Sequence, residues 1–523
     1  MWFISTLRNG FASRSSQLFA EERKPAAAGD RCGCLTIAMD AITLAERVAR
    51  LRQTFGSGKT RPVAWRKSQL QALRRFFVEC EGDLEAALHA DMHKSRLESY
   101  ATEIGFLIHE IDHTLSHLDE WTHRRKTASP VYLLPSDSRV IFEPLGVALI
   151  LGAWNYPLQL TLGPLVAAIA AGNAAVVKPP RTAKAVFETV GRLLPQYLDP
   201  DAFLVIADDT ANDVILAERW DKIFFTGSAE VGRVILQAAV QNLTPVTLEL
   251  GGKSPALVDE TANLKVAARR IAQGKFFNAG QTCVAPDYIL AHESILPELV
   301  KELVGALRDF YGDDPQASEE YARIINTRQF DTLISYFPNG KIECGGQHDR
   351  DDRYIAPTIL TDVSPDSPVM QAEIFGPILP VLAVKDMDEA LEFVNKRDKP
   401  LAFYIFSENR QTIEHVINHS TSGGMCVNEA INHLTVHGLP FGGVGKSGMG
   451  KYHGEWGFRD FSNARGLLDH GTKFDPDLRY PPYDGDKLAR MKKLLDMKLP
   501  GSLQSVTGWL LGHRGETILK FIK

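Results

Sequence analysis

A chain of 523 residues is too long for one small domain and predicts two or three. Its composition, 44% hydrophobic and 23% charged, reads as that of a soluble globular protein. A net charge of −6 leaves no basic footprint for nucleic acid, and no apolar run approaches the roughly 18 residues of a membrane-spanning helix.

Residues 1–39 differ from the rest: they carry Arg8, Arg14, Ser5, Ser13, Ser15 and Ser16, with no acid before Glu21. That pattern allows a mitochondrial transit peptide, but a plain extension, or a start upstream of a true initiator at Met39, is the preferred reading. The six cysteines (32, 34, 80, 283, 344 and 426) show no paired spacing beyond Cys32-Gly33-Cys34, which has no second pair at zinc spacing. No disulfide framework and no metal site are therefore expected. From Ala41 the pattern turns helical, with Leu44, Val48 and Leu51 on one face, and it continues to about Thr122.

The segment 138–144 is short and strand-like. Runs rich in Val, Ile or Phe follow at 147–151, 174–177, 203–206, 222–225 and 246–250, with helical runs at 162–171 and 183–198 between them. Such alternation predicts a parallel α/β sheet. A second alternating region extends from about Ser254 to about Asn428 and includes a helix over 263–277. The tail 485–523 holds eight basic residues and three acids, and Leu488, Met491, Leu494, Leu495 and Met497 cover much of one helical face. A basic amphipathic helix lies on a membrane or packs as a surface helix; the packing reading is preferred, although Trp509, Leu510, Leu511, Ile518, Leu519, Phe521 and Ile522 make an unusually apolar ending.

Two residues point to chemistry. Cys283 stands in the polar, Gly-flanked turn Asn278-Ala279-Gly280-Gln281-Thr282-Cys283, where a thiol is poorly placed for core packing. Glu249 sits in the apolar strand Val246-Thr247-Leu248-Glu249-Leu250, followed at once by Gly251-Gly252. A sulfur nucleophile with a carboxylate able to activate water suggests covalent catalysis.

Both runs resemble the aldehyde dehydrogenase superfamily. So do Gly152-Ala153-Trp154-Asn155-Tyr156-Pro157, Val177-Lys178-Pro179-Pro180, Phe225-Thr226-Gly227-Ser228-Ala229-Glu230-Val231-Gly232 and Glu373-Ile374-Phe375-Gly376-Pro377. The six motifs occur in the family's order, and the likeness covers roughly residues 40 to 480. The run from Pro440 to Gly454 looks like the class 3 branch, which includes fatty, aromatic and coniferyl aldehyde dehydrogenases.

The resemblance implies an α/β fold of three parts. A Rossmann-like NAD(P)-binding domain would span 40–134 and 148–251, and a catalytic α/β domain 252–448. A small β oligomerisation arm would use 135–147 and 449–475, leaving 476–523 as the basic tail. It also implies roles. Cys283 would be the nucleophile, its thiol activated by a base or a nearby helix N-terminus. Asn155, with the Cys283 backbone N–H, would hold the oxyanion. Glu249, separated from the cysteine by 283 − 249 = 34 residues, would activate the hydrolytic water.

Lys178 would bind the adenine ribose, Gly227, Ser228 and Gly232 would receive the pyrophosphate at a helix N-terminus, and Glu373 with Phe375 would hold the nicotinamide ribose. Many NAD-preferring members carry Glu three positions after the lysine. Here that position is Arg181, which suits a 2′-phosphate and so favours NADP, or dual use with NAD. Tyr156, Phe277, Thr282 and Val284 would flank a tunnel for a medium or long aliphatic, or aromatic, aldehyde. A cytoplasmic homodimer is implied, with peripheral membrane contact through the tail as the sharper alternative. The rival readings are a CoA-acylating or acyl-phosphate-forming relative, which needs no water-activating carboxylate, and a catalytically silent paralogue.

Overall fold

A computed structural model of the protein describes residues 43–473 and 475–496. The N-terminal segment 1–39 with Cys32 and Cys34, and the apolar ending from Trp509 onward, lie outside the described residues. The described residues from Leu44 on belong to one compact unit.

Two open sheets form its centre. The first has six strands in the order Gly448–Met449, Val246–Glu249, Lys222–Thr226, Val147–Leu151, Ala174–Lys178, Phe203–Val205. All pair in parallel except the first, which runs antiparallel to Val246–Glu249. Side chains alternate between faces along a strand, and the central strand shows the result. Ala148 and Ile150 enter the large core under the helices Val63–Glu79, Gly105–Thr122 and Gln159–Ala171. Val147, Leu149 and Leu151 enter a separate core with Val48, Leu51 and Ile235 from the helices Leu44–Gly56 and Ala229–Val240. Burial on both faces explains why these strands read as unbroken apolar runs.

The second sheet has seven strands, in the order Lys341–Cys344, Thr358–Thr361, Ile378–Val384, Tyr288–His292, Pro255–Val258, Ala402–Phe406, Gly424–Val427. Its first strand is antiparallel and the rest are parallel. A third sheet is a long antiparallel pairing of Ser136–Pro144 with Ser462–His470, edged by Arg125–Thr127. Two placements differ from the segment boundaries read in the sequence. Arg125–Thr127, inside 40–134, joins the third sheet, and Gly448–Met449, at the 448 boundary, closes the edge of the first. Both strands are too short to show a period.

In the first sheet the strand order reverses direction between Val147–Leu151 and Lys222–Thr226. Ligands of open α/β sheets bind at such a point, beyond the carboxyl ends of the strands. Gly152, Lys178, Gly227 and Glu249 all stand at those ends.

Candidate active site

The helix Leu264–Phe276 is capped at its start by the Asn263 side chain, which accepts from the Val266 N–H, and its far end delivers the chain into the cysteine turn. Cys283 therefore follows a helix C-terminus; its turn holds only a short 3-10 segment, Phe277–Gly280, with left-handed residues inside it, and no α-helix begins there to supply the N-terminal dipole expected. Asn278 (φ 52°), Ala279 (φ 50°) and Gly280 (φ 74°) are three consecutive left-handed residues. For the first two that conformation is costly and must be enforced by neighbours. Gln281 does much of this. Its amide donates to the carbonyls of Asn278 (3.0 Å) and Arg323 (3.0 Å) and accepts from the Ile325 N–H (2.9 Å). A Cβ at position 280 would lie 2.3 Å from the Gly376 carbonyl, so only glycine fits.

The strand-end loop carrying Asn155 docks on this turn. Asn155 Nδ2 donates to the Gln281 carbonyl (3.1 Å), and Asn278 Nδ2 donates to the Asn155 carbonyl (2.9 Å). Tyr156 and Thr282 share a hydroxyl hydrogen bond of 2.7 Å. Of the residues read as a substrate wall, Tyr156 and Thr282 are thus tied to each other, Val284 packs into the large core, and Phe277 is half-buried.

Cys283 keeps part of its surface exposed, but burial of the sulfur, then the nearby Glu373 and Glu249, push its thiol well above the usual range. Its own N–H and that of Val284 act in the opposite direction. Glu249 ends its strand, is buried, and has no hydrogen-bond partner on either carboxylate oxygen. Desolvation and Asp460 raise its carboxyl well above the ordinary value, against the pull of Lys451. A Cβ on Gly442 would lie 2.7 Å from Glu249 Oε1, so the carboxylate is closely walled.

Glu373 lies across the Gly251-Gly252 step. It accepts from the Gly252 N–H, its Oε1 is unpartnered, and a Cβ on Gly251 would sit 1.8 Å from its Oε2. Burial, then Asp287, push it up to about 8. Phe375 (φ 52°) packs edge-on against Trp154, with ring centroids 5.3 Å apart. Cys283, Glu249, Asn155, Glu373 and Phe375 are thereby gathered into one neighbourhood.

Lys178 ends its strand with Nζ donating to the Thr210 carbonyl (3.0 Å) and Asn212 Oδ1 (2.6 Å). Burial, then the charge of Arg181, lower it to about 8. Arg181 is exposed, donates to the Asp208 carbonyl (2.6 Å) and lies 3.3 Å from Asp209. Ser228 caps the helix Ala229–Val240 by accepting from the Val231 N–H. The glycines' own amides are engaged elsewhere: Gly227 N–H donates to the Glu249 carbonyl and Gly232 N–H to the Ser228 carbonyl. Their contribution is room, since a Cβ at 227 would meet the Phe225 ring at 2.4 Å.

The sequence matches the model of the aldehyde dehydrogenase family over residues 17–466. The chain belongs to the aldehyde dehydrogenase family. It is 49% identical over 454 residues to aldehyde dehydrogenase family 3 member A2 of Rattus norvegicus, covering 86% of this chain and 93% of that protein. It is 47% identical over 438 residues to the Mus musculus protein named aldehyde dehydrogenase, dimeric NADP-preferring, covering 83% and 97%. Among solved structures, the substrate-bound state of Staphylococcus aureus AldH superposes with a TM-score of 0.84 at 42% identity, covering 87% of this chain and all of that one. The protein is accordingly an oxidoreductase acting on aldehydes.

Several residues near this aldehyde dehydrogenase site carried no signal in the sequence. Tyr404 donates its hydroxyl to the Val284 carbonyl, and Tyr452 lies close enough to Glu249 and Cys283 for their charges to raise it further. Lys253 bridges Asp287 (2.6 Å), whose other oxygen accepts from the Ile374 N–H beside Glu373. Lys94, Glu98 and Glu103 are buried charges read only as part of a helical run. No periodicity distinguishes such groups; their burial is a tertiary outcome.

Proposed function

We propose that Cys283 is the nucleophile of an NAD(P)-dependent oxidation of aldehydes to carboxylic acids. The observation that carries this reading is the neighbourhood of Cys283, Glu249 and Asn155 at the carboxyl edge of the first sheet. The Cys283 thiolate adds to the carbonyl carbon and gives a thiohemiacetal. The Asn155 amide and the Cys283 N–H are the donors for its oxyanion, each on the order of 3 kcal/mol of barrier. A bound nicotinamide supplies the acceptor for the hydride. The thioester left on Cys283 is then hydrolysed by water that Glu249 deprotonates. Its two unpartnered oxygens support that role, because no group among the described residues competes for them. The same carboxylate argues against a CoA-acylating reaction.

The residues present fit a dinucleotide. Glu373, with a buried unpartnered oxygen over two glycines, suits a ribose hydroxyl. Ser228 opens a helix of 12 residues whose first-turn amides suit a pyrophosphate. Lys178 and Arg181 flank the adenosine end, and Arg181 supports use of NADP, as does the name of the dimeric NADP-preferring relative. The first sheet with its helices then serves as the cofactor domain, the second as the catalytic domain, and the third as the arm of a homodimer. The half-buried Phe277, with the Tyr156 ring nearby, favours medium or long aliphatic, or aromatic, substrates; Val284, enclosed in the core, does not contribute. No described helix is long and apolar enough to cross a membrane. The helix Gly485–Asp496 has no buried residue; Leu488 and Leu495 are exposed while Met491 and Leu494 are half-buried, and the exposed pair supports peripheral contact through the tail.

The test is Cys283→Ala. Reduced cofactor, followed by absorbance on adding aldehyde, should not form, while cofactor binding by fluorescence titration persists. Turnover above about 1% of the wild-type rate would remove Cys283 from the mechanism.

A further inference from the structure

Two charged residues that this chemistry does not use are wholly enclosed beside it. Lys94 and Glu103 form an ion pair, Nζ to Oε1 2.7 Å, with both side chains 0% exposed. Burying two charges is costly, so their remaining bonds show what the pair holds. Lys94 Nζ donates to the Asn155 carbonyl (3.3 Å) and stands 4.2 Å from the Tyr156 ring centre. Glu103 Oε2 accepts from the N–H groups of Leu158 (2.7 Å) and Gln159 (3.2 Å), the unsatisfied amides where the helix Gln159–Ala171 begins. Every one of these contacts falls on the segment that carries Asn155.

The local backbone is shaped to deliver Glu103. Residues Tyr100–Ile104 form a π turn, closed by the Gly105 N–H on the Tyr100 carbonyl. A Cβ on Gly105 would lie 2.6 Å from the Tyr100 ring, so glycine permits the turn. From the cysteine turn, Asn278 Nδ2 donates to the same Asn155 carbonyl (2.9 Å). The Asn155 carbonyl is thus held by two donors from two separate segments, while its side-chain amide uses one hydrogen on the Gln281 carbonyl (3.1 Å) and keeps the second.

We infer that Lys94 and Glu103 are positioning residues that aim the Asn155 amide at the oxyanion, an inference that rests on the oxyanion role proposed above. A donor of this kind contributes only when its hydrogen meets the position the negative oxygen will occupy, so a shift of the loop forfeits it.

The experiment is a pair of double-mutant cycles, Lys94→Met with Asn155→Ala and Glu103→Gln with Asn155→Ala. Each protein is read by single-turnover formation of reduced cofactor, by the alkylation rate of Cys283 with iodoacetamide, and by thermal midpoint. In the wild-type background each substitution should slow acylation about tenfold to a hundredfold, leaving alkylation nearly unchanged. In the Asn155→Ala background the same substitution should cost less than about twofold, because the donor it positions is gone. Equal losses in both backgrounds would mean a general structural effect and would overturn the inference. Asn155→Ala that acylates at the wild-type rate would instead overturn the oxyanion reading itself, and this inference with it. Lys94→Met leaves the Glu103 charge unpaired; if it does not fold, the Glu103→Gln cycle, which keeps the side-chain shape, decides alone.

Discussion

Glu98 offers a quantitative test of the packing behind the cysteine turn. Its carboxyl is buried, accepts from the Asn278 backbone N–H, and has no partner on Oε1. Desolvation, only partly opposed by Lys94, raises it from 4.5 to about 7. Between those values the folded protein keeps a proton that the unfolded chain has released. Stability from this group is therefore fully present below pH 4.5 and is lost as pH rises through about 7. One decade of such a shift is worth about 1.4 kcal/mol, so the loss approaches roughly 3 kcal/mol. Glu98→Gln removes the titration and keeps an acceptor for Asn278. Relative to wild type, the variant should gain roughly 3 kcal/mol of stability between about pH 4.5 and about pH 8. Urea denaturation of both proteins in parallel across that range measures the difference and cancels every other titrating group. A difference that does not change with pH would show that Glu98 is solvated and would refute the reasoning.

Arg181→Glu should exchange a phosphate donor for a ribose-hydroxyl acceptor. A charge-assisted hydrogen bond of roughly 1.5–3 kcal/mol makes the change in the NADP to NAD ratio of kcat/KM about tenfold or more. An unmoved ratio would mean that Arg181 serves only its contacts with Asp208 and Asp209. The shifts at Cys283 and Glu249 are both upward, so both reach their reactive ionised forms as pH rises. Turnover should climb as pH is raised above neutrality, and a rate that falls on that side would contradict both roles. A chain ending before Gly485 should lose co-sedimentation with anionic vesicles while keeping its thermal midpoint. Unchanged sedimentation would assign the tail helix to packing, and a lowered midpoint would assign it to the core or an interface.

The elements that carry the site were legible because parallel strands buried on both faces are plain apolar runs, and their ends are marked. Glu249 interrupts such a run and stood out for that reason, whereas Lys178 and Asn155, at strand ends, stood out only through the motifs that resemble the family. The helix leading to Cys283 was read over 263–277 and spans Leu264–Phe276, with Asn263 as its cap. What was hidden depends on long-range geometry. The third sheet joins Ser136–Pro144 to Ser462–His470; the resemblance implied these two segments as one arm, but no local pattern encodes their register. The activating helix N-terminus expected near Cys283 is missing from its turn because the helix there ends rather than begins. Gln281 and Asn278 look like ordinary loop amides until the left-handed turn they brace is seen. Lys94 and Glu103 sit in an amphipathic pattern whose charged positions would normally face water; only the π turn and the Asn155 loop explain their burial.

The central claim is that Cys283 holds the acyl group and Glu249 releases it. Glu249→Gln, mixed with aldehyde and oxidised cofactor and quenched in acid, should carry one acyl group, found by peptide mass spectrometry on Cys283. That adduct should decay at least about a hundredfold more slowly than in wild type. An adduct on another residue, or one that hydrolyses at the wild-type rate, would contradict the account.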